Sequence, residues 1–230
     1  MRIKVKTVLM DVDGTMTVYP NGNIMGQSPR TLLENLMMET FGISRTEAWE
    51  RVLACGDVET HCVTEFFPEL KLDSVRYFDM MLAELKSTTV IPEDTVRLFK
   101  ALKELGIPLY TATTNSRFIT LAKLAVREGL ASHDGCEYIT GYYPGCAFRS
   151  PEGKYSKDYY KNILADGPFE GEYTLMIGDE VLRDGLPARR SGIRYAVNIN
   201  RNADSPSGLD QDGILHINSY DELIPLLEKA

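Results

Sequence analysis

Short apolar segments recur along the chain and predict five β-strands. They span residues 3–10, 106–115, 173–180, 192–199 and 213–217. The first four are rich in β-branched or aromatic residues and are followed by glycine or polar residues, which is the usual form of a strand and its exit loop. The fifth is shorter, and its pattern is weaker.

Helical patterns alternate with these strands. They cover residues 92–106, 116–130 and 219–230. Val96, Phe99 and Leu102 share one face of the first pattern, and Ser116 and Gly129 predict the start and end of the second. Strands that alternate with helices indicate parallel βαβ units. We therefore predict a three-layer, Rossmann-like α/β core.

The stretch after the first strand follows a different pattern. Three helical segments occur there without a convincing strand between them, at residues 28–42, 44–56 and 72–86. Ser28 before Pro29 predicts a helix start, and Ser44 with Glu47 predicts a capping box. The predicted domains are an α/β core of residues 1–16 and 91–230 and a helical insertion of residues 17–90.

The composition is typical of a globular protein. Its 230 residues are 43% apolar and 25% charged, so a sizeable core is available. The net charge of −8 provides no basic field for nucleic acid or an anionic membrane, and we expect neither as a partner. No segment resembles a signal peptide or a membrane span. Four cysteines without a CxxC spacing (Cys55, Cys62, Cys136 and Cys146) indicate reduced thiols and a cytoplasmic location.

Acidic and hydroxyl side chains follow three of the predicted strands at the point where each strand ends. Asp11, Asp13 and Thr15 follow the first strand, Thr114 and Asn115 the second, and Asp179 and Asp184 the third. Ligands of open α/β sheets bind beyond the carboxyl ends of the strands, so we expect these side chains to converge.

Several carboxylates in one cleft repel one another unless a cation lies among them. Mg²⁺ prefers oxygen ligands and suits such a site, and a lysine of the segment 150–160 would supply a positive side chain. A calcium loop that starts at Asp11 is disfavoured, because Met16 and Gly22 stand where that loop needs Gly and Glu.

Four motifs, in this order, resemble those of the haloacid dehalogenase (HAD) superfamily. The first is DVDGT at residues 11–15, and the second is the strand end IPLYTATTN with Thr114 as its hydroxyl. The third is a lysine within GKYSKDYY, where Lys154 aligns best, Lys157 is a rival and two prolines of the usual context are absent. The fourth is GDEVLRD. The resemblance covers almost the whole chain, including the closing segment 213–227.

The resemblance implies phosphoryl transfer through an aspartyl-phosphate. Asp11 would be the nucleophile and Asp13 the general acid and then the base, with the pKa of Asp13 raised by crowding and burial. Mg²⁺ would be held by Asp11, Asp179 and the Asp13 backbone carbonyl, while Asp184 would ligate it or orient its water. The candidate ligands of the phosphoryl oxygens are Thr15, Thr114, Asn115 and Lys154.

The helical insertion resembles the mobile cap of this superfamily, which would close over the site and contact the organic part of the substrate. Arg51 and His61 are its candidate contacts. The leading hypothesis is a Mg²⁺-dependent phosphatase that acts on a small phosphomonoester metabolite. A sugar-phosphate mutase on the same core and a phosphate-sensing protein without turnover are the alternatives. A dehalogenase is disfavoured, because the superfamily's dehalogenases lack an acid at the position of Asp13.

Overall fold

A parallel β-sheet forms the centre of the molecule. The computed structural model describes residues 2–22, 25–58, 61–144, 153–202 and 204–230. The strands are β1 (Ile3–Val5), β2 (Thr7–Met10), β3 (Leu109–Thr113), β4 (Gly141–Pro144), β5 (Thr174–Gly178), β6 (Tyr195–Ile199), β7 (Gly208–Leu209), β8 (Ile214–Ile217) and β9 (Leu227–Lys229). The main sheet has the order β4-β3-β2-β5-β6-β8-β7, in which β7 runs antiparallel to β8 and the other pairs are parallel.

Nine α-helices occur in the described residues. They are α1 (Pro29–Phe41), α2 (Arg45–Cys55), α3 (Phe67–Leu70), α4 (Ser74–Lys86), α5 (Glu93–Leu105), α6 (Arg117–Leu124), α7 (Tyr159–Asp166), α8 (Leu186–Arg190) and α9 (Tyr220–Leu223). Successive residues of a strand point to opposite faces. Val8 and Met10 join the apolar cluster that contains α5, α6 and α9, whereas Leu9 joins a second cluster with α7 and α8. The predicted three-layer α/β core is therefore confirmed.

The central strands are buried and mostly apolar. All four residues of β2 and all five of β5 are buried. Apolar side chains predominate because the strands are covered on both faces, as is usual in parallel sheets. The buried hydroxyls of Thr7 and Thr174, which begin the two strands, lie 3.1 Å apart and pair with each other. The carboxyl ends of β2 and β5 are adjacent, because Met10 pairs with Ile177 in the register.

The two ends of the chain differ from the prediction. The expected strand at 3–10 is divided, and its first part, β1, pairs in parallel with β9 in a separate two-stranded sheet. The expected closing helix ends at Leu223, where a 3₁₀ turn at Ile224–Leu226 leads into β9. Pro225 lacks the N–H that a continuing helix would use, which explains why the helix stops there.

Two further elements also depart from the sequence pattern. Helix α6 begins after its predicted N-cap, Ser116, but ends at Leu124, and separate turns lead past Gly129. Strand β4 pairs with β3 at the edge of the sheet and escaped prediction. It is short and ends in Pro144, a residue that an edge strand tolerates and a central strand does not.

The chain between β2 and α5 carries α1–α4, with no strand among its described residues, and α4 packs on α6. Ser28 caps α1 by accepting a hydrogen bond from the Thr31 N–H. Ser44 caps α2 in the same way, but Glu47 pairs with Arg51, so only half of the predicted capping box forms. The boundaries of this insertion and its movement as a cap stay predictions.

Aromatic rings form the contact between the helical segment and the core. The ring of Phe118 on α6 lies 5.4 Å from that of Tyr77 and 5.5 Å from that of Phe78, both on α4. Val18 and Val90, where the chain leaves and re-enters the core, exchange two backbone hydrogen bonds of 2.9 Å. The two crossings between the core and the helical segment therefore lie side by side.

Membrane spans and cysteine thiols both bear on the expected cellular setting. Among the described residues, no helix combines the length and the apolar character that crossing a membrane requires. Cys55 and Cys136 have free thiols, whereas Cys146 lies outside the described residues. The cytoplasmic location stays a prediction.

Asp94, in the first turn of α5, ties three distant parts of the core together. Both of its oxygens lie 2.8 Å from Nη1 of Arg201, which follows β6. The hydroxyl of Ser219 and the backbone N–H of Tyr220 also donate to it, at 3.0 and 2.9 Å. Burial works to raise the pKa of Asp94, but these donors outweigh it and lower the pKa below its usual value.

We predict that Asp94→Ala destabilises the protein by about 3 kcal/mol, because it leaves Arg201 without its buried partner. Since the folded state lowers this pKa, the stabilisation is complete at neutral pH and disappears as the pH falls below about 4. Chemical denaturation at several pH values measures both effects.

Asp221→Ala is the matched control, because its pair with Arg97 spans 2.6 Å but is half exposed. An exposed pair contributes less than about 1 kcal/mol. Equal losses in the two variants would contradict the assigned role of Asp94.

Candidate active site

Three aspartates converge at the carboxyl ends of the two central strands. Asp11 follows β2, whereas Asp179 follows β5 and Asp184 lies in the π-helical turn Val181–Gly185. One carboxylate oxygen from each of the three lies within 4.8 Å of the other two. The strand ends therefore bring together three of the four predicted acids as one oxygen-rich cluster, with the composition that a hard divalent cation prefers.

Lys154 binds two of these carboxylates at once. Its Nζ lies 2.8 Å from Oδ1 of Asp11 and 2.7 Å from Oδ1 of Asp184, and its side chain is 4% exposed. Burial works to lower the pKa of Lys154, but the two carboxylates outweigh it and hold the pKa above its usual value. Lys154 is therefore an ammonium ion in the cleft. Lys157, the rival candidate, is exposed to solvent.

The cluster remains short of positive charge in spite of Lys154. Burial raises the pKa of Asp11 to about 7; Lys154 opposes this rise, and the charge of Asp184 adds to it. Burial, with the Asp184 charge, also raises the pKa of Asp179 to about 6. These carboxyl groups need a proton or a cation beyond the lysine.

Asp184 is held by donors on both of its oxygens. Besides Lys154, the hydroxyl of Tyr160 donates to Oδ1 at 3.2 Å, and the backbone N–H of Glu180 donates to Oδ2 at 3.2 Å. A side chain at Gly178 would place its Cβ 2.1 Å from Oδ2 of Asp184. Glycine at this position therefore allows the carboxylate to lie directly against the end of β5.

Asp13 belongs to a separate network. Its Oδ1 accepts hydrogen bonds from Lys123, at 2.6 Å, and from the hydroxyl of Tyr19, while its Oδ2 accepts from Asn115 at 2.8 Å. Its carboxylate is not part of the three-aspartate cluster. Whether its backbone carbonyl ligates a metal stays a prediction.

The expected rise in the pKa of Asp13 is wrong for this arrangement. Burial does work to raise it, but the charge and hydrogen bond of Lys123, with the bonds from Tyr19 and Asn115, lower it below its usual value. The expectation considered the neighbouring carboxylates and missed the lysine that faces Asp13. Asp13 is therefore a carboxylate in this structure.

The predicted phosphate ligands occupy different positions. Thr114 is exposed and lines the cleft. Asn115 instead holds Asp13, and its own amide is anchored on the Thr113 hydroxyl at 3.0 Å. Thr15 is fully buried and donates to Oδ1 of Asp179 at 3.2 Å, so its hydroxyl positions an acid of the cluster rather than facing a ligand.

The cleft above these residues has a volume of about 380 Å³. Its lining residues are Asp11, Asp13, Gly14, Tyr19, Thr114, Lys154, Tyr155, Asp179, Glu180, Arg183 and Asp184. Arg51 is not among them and pairs with Glu47 on α2 at 2.8 Å. His61 is not among them either; it contacts the backbone carbonyl of Asp57. The structure thus brings neither predicted cap residue to the cleft.

The charges of the cleft explain why a divalent cation fits. Four carboxylates meet two buried ammonium groups, since Lys154 serves Asp11 and Asp184 while Lys123 serves Asp13. Arg183 and Glu180, which line the mouth of the cleft, form an ion pair with 3.0 Å between Nη1 and Oε1, so their charges cancel. When all four acids are ionised, four negative and two positive charges leave a balance of two negative charges, which one divalent cation would offset. The donor set, which consists of carboxylate oxygens, therefore suits a hard metal ion.

A family comparison identifies the chain. The sequence model of the haloacid dehalogenase-like hydrolases matches residues 5–192. This chain belongs to that family. The match spans all four motifs proposed above, and the protein is accordingly a hydrolase of the HAD superfamily.

Solved structures share the fold of this HAD hydrolase at low sequence identity. A HAD phosphatase from Thermococcus onnurineus is 23% identical, with 96% of this chain and 97% of that chain covered and a TM-score of 0.55. CbbY from Rhodobacter sphaeroides, a variant in complex with xylulose-(1,5)bisphosphate, is 19% identical, with 95% and 96% covered and a TM-score of 0.54. A dehalogenase with an intermediate complex is 17% identical, with 100% of both chains covered and a TM-score of 0.59. No curated protein matches the chain significantly.

The similar structures include one named a phosphatase and one named a dehalogenase. At these identities the likeness shows the fold, and the fold of a HAD hydrolase serves more than one reaction. The choice of reaction must therefore come from the side chains of the cleft.

Sequence reasoning missed three residues of this HAD hydrolase site. Lys123, Tyr19 and Tyr160 each contact a motif aspartate through a hydrogen bond. One signal was available for Lys123, which is a single basic residue in the apolar run TLAKLA of α6. A lysine that faces inward from an amphipathic helix needs a carboxylate partner. The two tyrosines gave no comparable signal.

Gly14 offers a test of the geometry around Asp179. It has a φ of +72°, and a Cβ there would lie 2.1 Å from Oδ2 of Asp179. We predict that Gly14→Ala weakens Mg²⁺ binding by roughly tenfold or more, because Asp179 has to move. Isothermal titration with Mg²⁺ measures the change.

Gly22→Ala is the matched control, since Gly22 also has a φ of +72° but has nothing within 4 Å of the added Cβ. Both variants carry the same backbone strain, so both lose some stability. Unchanged Mg²⁺ affinity in Gly14→Ala would show that Asp179 is not a ligand.

Proposed function

We propose that this HAD hydrolase is a Mg²⁺-dependent phosphatase that hydrolyses a small phosphomonoester metabolite through an aspartyl-phosphate. The observation that carries the proposal is the position of Lys154, whose buried ammonium joins Asp11 to Asp184 beside Asp179. A nucleophilic carboxylate can approach an anionic phosphate only if positive charge is close to both. Lys154 and the cation implied by the charge balance would meet that need.

The carboxylates of Asp11 and Asp179 would hold Mg²⁺. Asp184 already accepts three hydrogen bonds, and it would ligate the ion as well or orient a water molecule beside it. Bound Mg²⁺ would supply charge that polarises the phosphoryl group and offsets the repulsion between substrate and carboxylates. Oxygen donors and the two excess negative charges support magnesium over softer metals.

In the first step, a carboxylate oxygen of Asp11 attacks phosphorus. The bond from phosphorus to the leaving oxygen breaks, and the leaving oxygen takes a proton from Asp13. Asp13 is a carboxylate in the free protein, so this step requires that it first takes up a proton from solvent. Lys154 and Thr114 stabilise the phosphoryl oxygens, because both line the same cleft as Asp11. The product of this step is an aspartyl-phosphate, which divides one difficult hydrolysis into two easier steps.

In the second step, water attacks phosphorus and gives its proton to the Asp13 carboxylate. The bond from phosphorus to Asp11 breaks, which releases inorganic phosphate and restores Asp11. The three donors around Asp13 favour the carboxylate form that this step needs. Proton transfer by a positioned carboxyl group contributes about 10²–10⁴-fold to the rate.

The size and the surroundings of the cleft support a small substrate. Its volume of about 380 Å³ suits a metabolite rather than a polymer. Tyr155 and Arg183 stand at its mouth, with the guanidinium 5.1 Å from the ring centre. The net charge of −8 is consistent with the absence of a nucleic-acid partner. The helical segment of residues 17–90 would close over the cleft as a cap.

We predict that Asp11→Asn lowers the turnover of 4-nitrophenyl phosphate by at least roughly 10⁴-fold, because an amide cannot act as the nucleophile. Released inorganic phosphate is measured with and without Mg²⁺. Asp134→Asn is the control, since the side chain of Asp134 is 94% exposed and is not among the residues that line the cleft.

Equal turnover in wild type and Asp11→Asn would overturn the proposed function. Conversion of a sugar 1-phosphate to its 6-phosphate without phosphate release would favour the mutase. Binding of beryllium fluoride without turnover on any phosphorylated metabolite would favour the phosphate sensor.

The acid role of Asp13 predicts a dependence on the leaving group. Asp13→Asn should lower kcat/KM for an alkyl phosphate by about 10²–10⁴-fold and for 4-nitrophenyl phosphate by much less, because nitrophenolate leaves without a proton. The ratio of kcat/KM for the two substrates measures this difference. The same loss with both substrates would contradict an acid role.

A further inference from the structure

Lys123 is a buried cation that none of the four motifs explains. It lies on α6 among buried residues, and its side chain is 3% exposed. Packing alone does not call for a lysine here, because an apolar side chain of similar length would fill the same space. An ammonium ion loses its hydration when it is buried, so its partners determine its role.

The partners of Lys123 form a closed ring of hydrogen bonds. Its Nζ donates to Oδ1 of Asp13 at 2.6 Å and to Oδ1 of Asn115 at 3.0 Å. Asn115 completes the ring by donating to Oδ2 of Asp13 at 2.8 Å. Both oxygens of Asp13 are therefore held from the same side, by groups at the end of β3 and on α6.

The donors to Asp13 come from two parts of the chain. The Asn115 amide also donates to the buried Thr113 hydroxyl at 3.0 Å, and Lys123 is fixed by the helix. Tyr19, which donates to the same oxygen of Asp13 as Lys123 does, comes from the chain that leads into the helical segment. Of these donors to Asp13, Lys123 carries a charge and belongs to a helix of the core.

Two ammonium groups divide the carboxylates of the cleft between them. Lys154 contacts Asp11 and Asp184, whereas Lys123 contacts Asp13. The carboxylate of Asp13 is therefore drawn to the α6 side, away from the three-aspartate cluster that repels it, while it still lines the cleft. Proton transfer requires a group at a defined position relative to the reacting atoms.

We propose that Lys123 is a positioning residue, which holds the Asp13 carboxylate at the edge of the cleft in the orientation that serves proton transfer to the leaving group and from water. This inference rests on the proposed phosphatase function. Lys123 itself touches neither the substrate nor the reacting atoms and acts through Asp13.

A double-mutant cycle with Asp13→Asn tests this role. Lys123→Met keeps the length of the side chain and removes its charge. We expect kcat for 4-nitrophenyl phosphate and for an alkyl phosphate to fall, by roughly 10- to 100-fold for the alkyl phosphate, with KM changed by less than about threefold. Lys123→Arg, which keeps the charge, should retain more of kcat. The double variant should be no slower than Asp13→Asn alone, because both changes remove the same contribution.

Lys103→Met is the matched control. Lys103 also pairs with one carboxylate at 2.6 Å, that of Glu137, but its side chain is 54% exposed. This variant should keep wild-type kcat and KM. Thermal unfolding of all proteins shows which are folded at the assay temperature. If Lys123→Met is not, the cycle is run with Lys123→Gln, which also removes the charge and to which the same criterion of non-additivity applies.

Three results would overturn the inference. The first is wild-type kcat in a folded Lys123→Met or Lys123→Gln. The second is a loss that multiplies with that of Asp13→Asn, which would mean that Lys123 acts independently of Asp13. The third is coupling to Asp13 in unfolding but not in kcat, which would make the pair purely structural. Absence of turnover in the wild type would instead overturn the proposed function, and this inference with it.

Discussion

The contact on which the site depends is the buried ammonium of Lys154 between Asp11 and Asp184. It joins the end of β2, the segment after β5 and a turn that comes more than a hundred residues after Asp11 in the sequence. Without this ammonium, two buried carboxylates that contact the same nitrogen would repel each other strongly, because the protein interior screens charge poorly. The lysine makes their approach possible and leaves Asp11 facing the cleft.

The remaining parts of the site are arranged around that contact. Lys123 separates Asp13 from the cluster, and Thr15 directs Asp179. The backbone carbonyl of Thr15 accepts hydrogen bonds from Arg201 and from the Tyr220 hydroxyl, at 3.3 and 3.1 Å. Arg201 is in turn fixed by Asp94, so the loop that carries the nucleophile candidate rests on the core through charged and polar contacts rather than on loop residues alone.

Much of the fold followed from local pattern, and the reasons are physical. Buried strands such as β2 and β5 need continuous apolar sequence, and helices need amphipathic spacing, so both leave a strong signal. Strands β4 and β9 left none, because they are short and lie at an edge or in a two-stranded sheet whose partner is distant in sequence. The end of α6 was missed because a turn with a helical residue pattern continues beyond it.

The site was predictable as far as it depends on strand ends. A carboxylate that follows a central strand must lie at the carboxyl edge of the sheet, which located Asp11 and Asp179. The partner of each side chain was not predictable in that way. Thr15 donates to Asp179, Asn115 holds Asp13 and Lys123 reaches Asp13 from a helix, and all three depend on tertiary contacts. The reversed pKa shift of Asp13 follows from the last of these.

A crystal structure with Mg²⁺ and beryllium fluoride tests the central claim most directly, because beryllium fluoride mimics a phosphoryl group on a carboxylate. The account predicts one Mg²⁺ bound by the Asp11 and Asp179 carboxylates, with the fluoride adduct on Asp11 and the Lys154 ammonium beside it. A cation bound away from the three aspartates, or an adduct on any other residue, would contradict it.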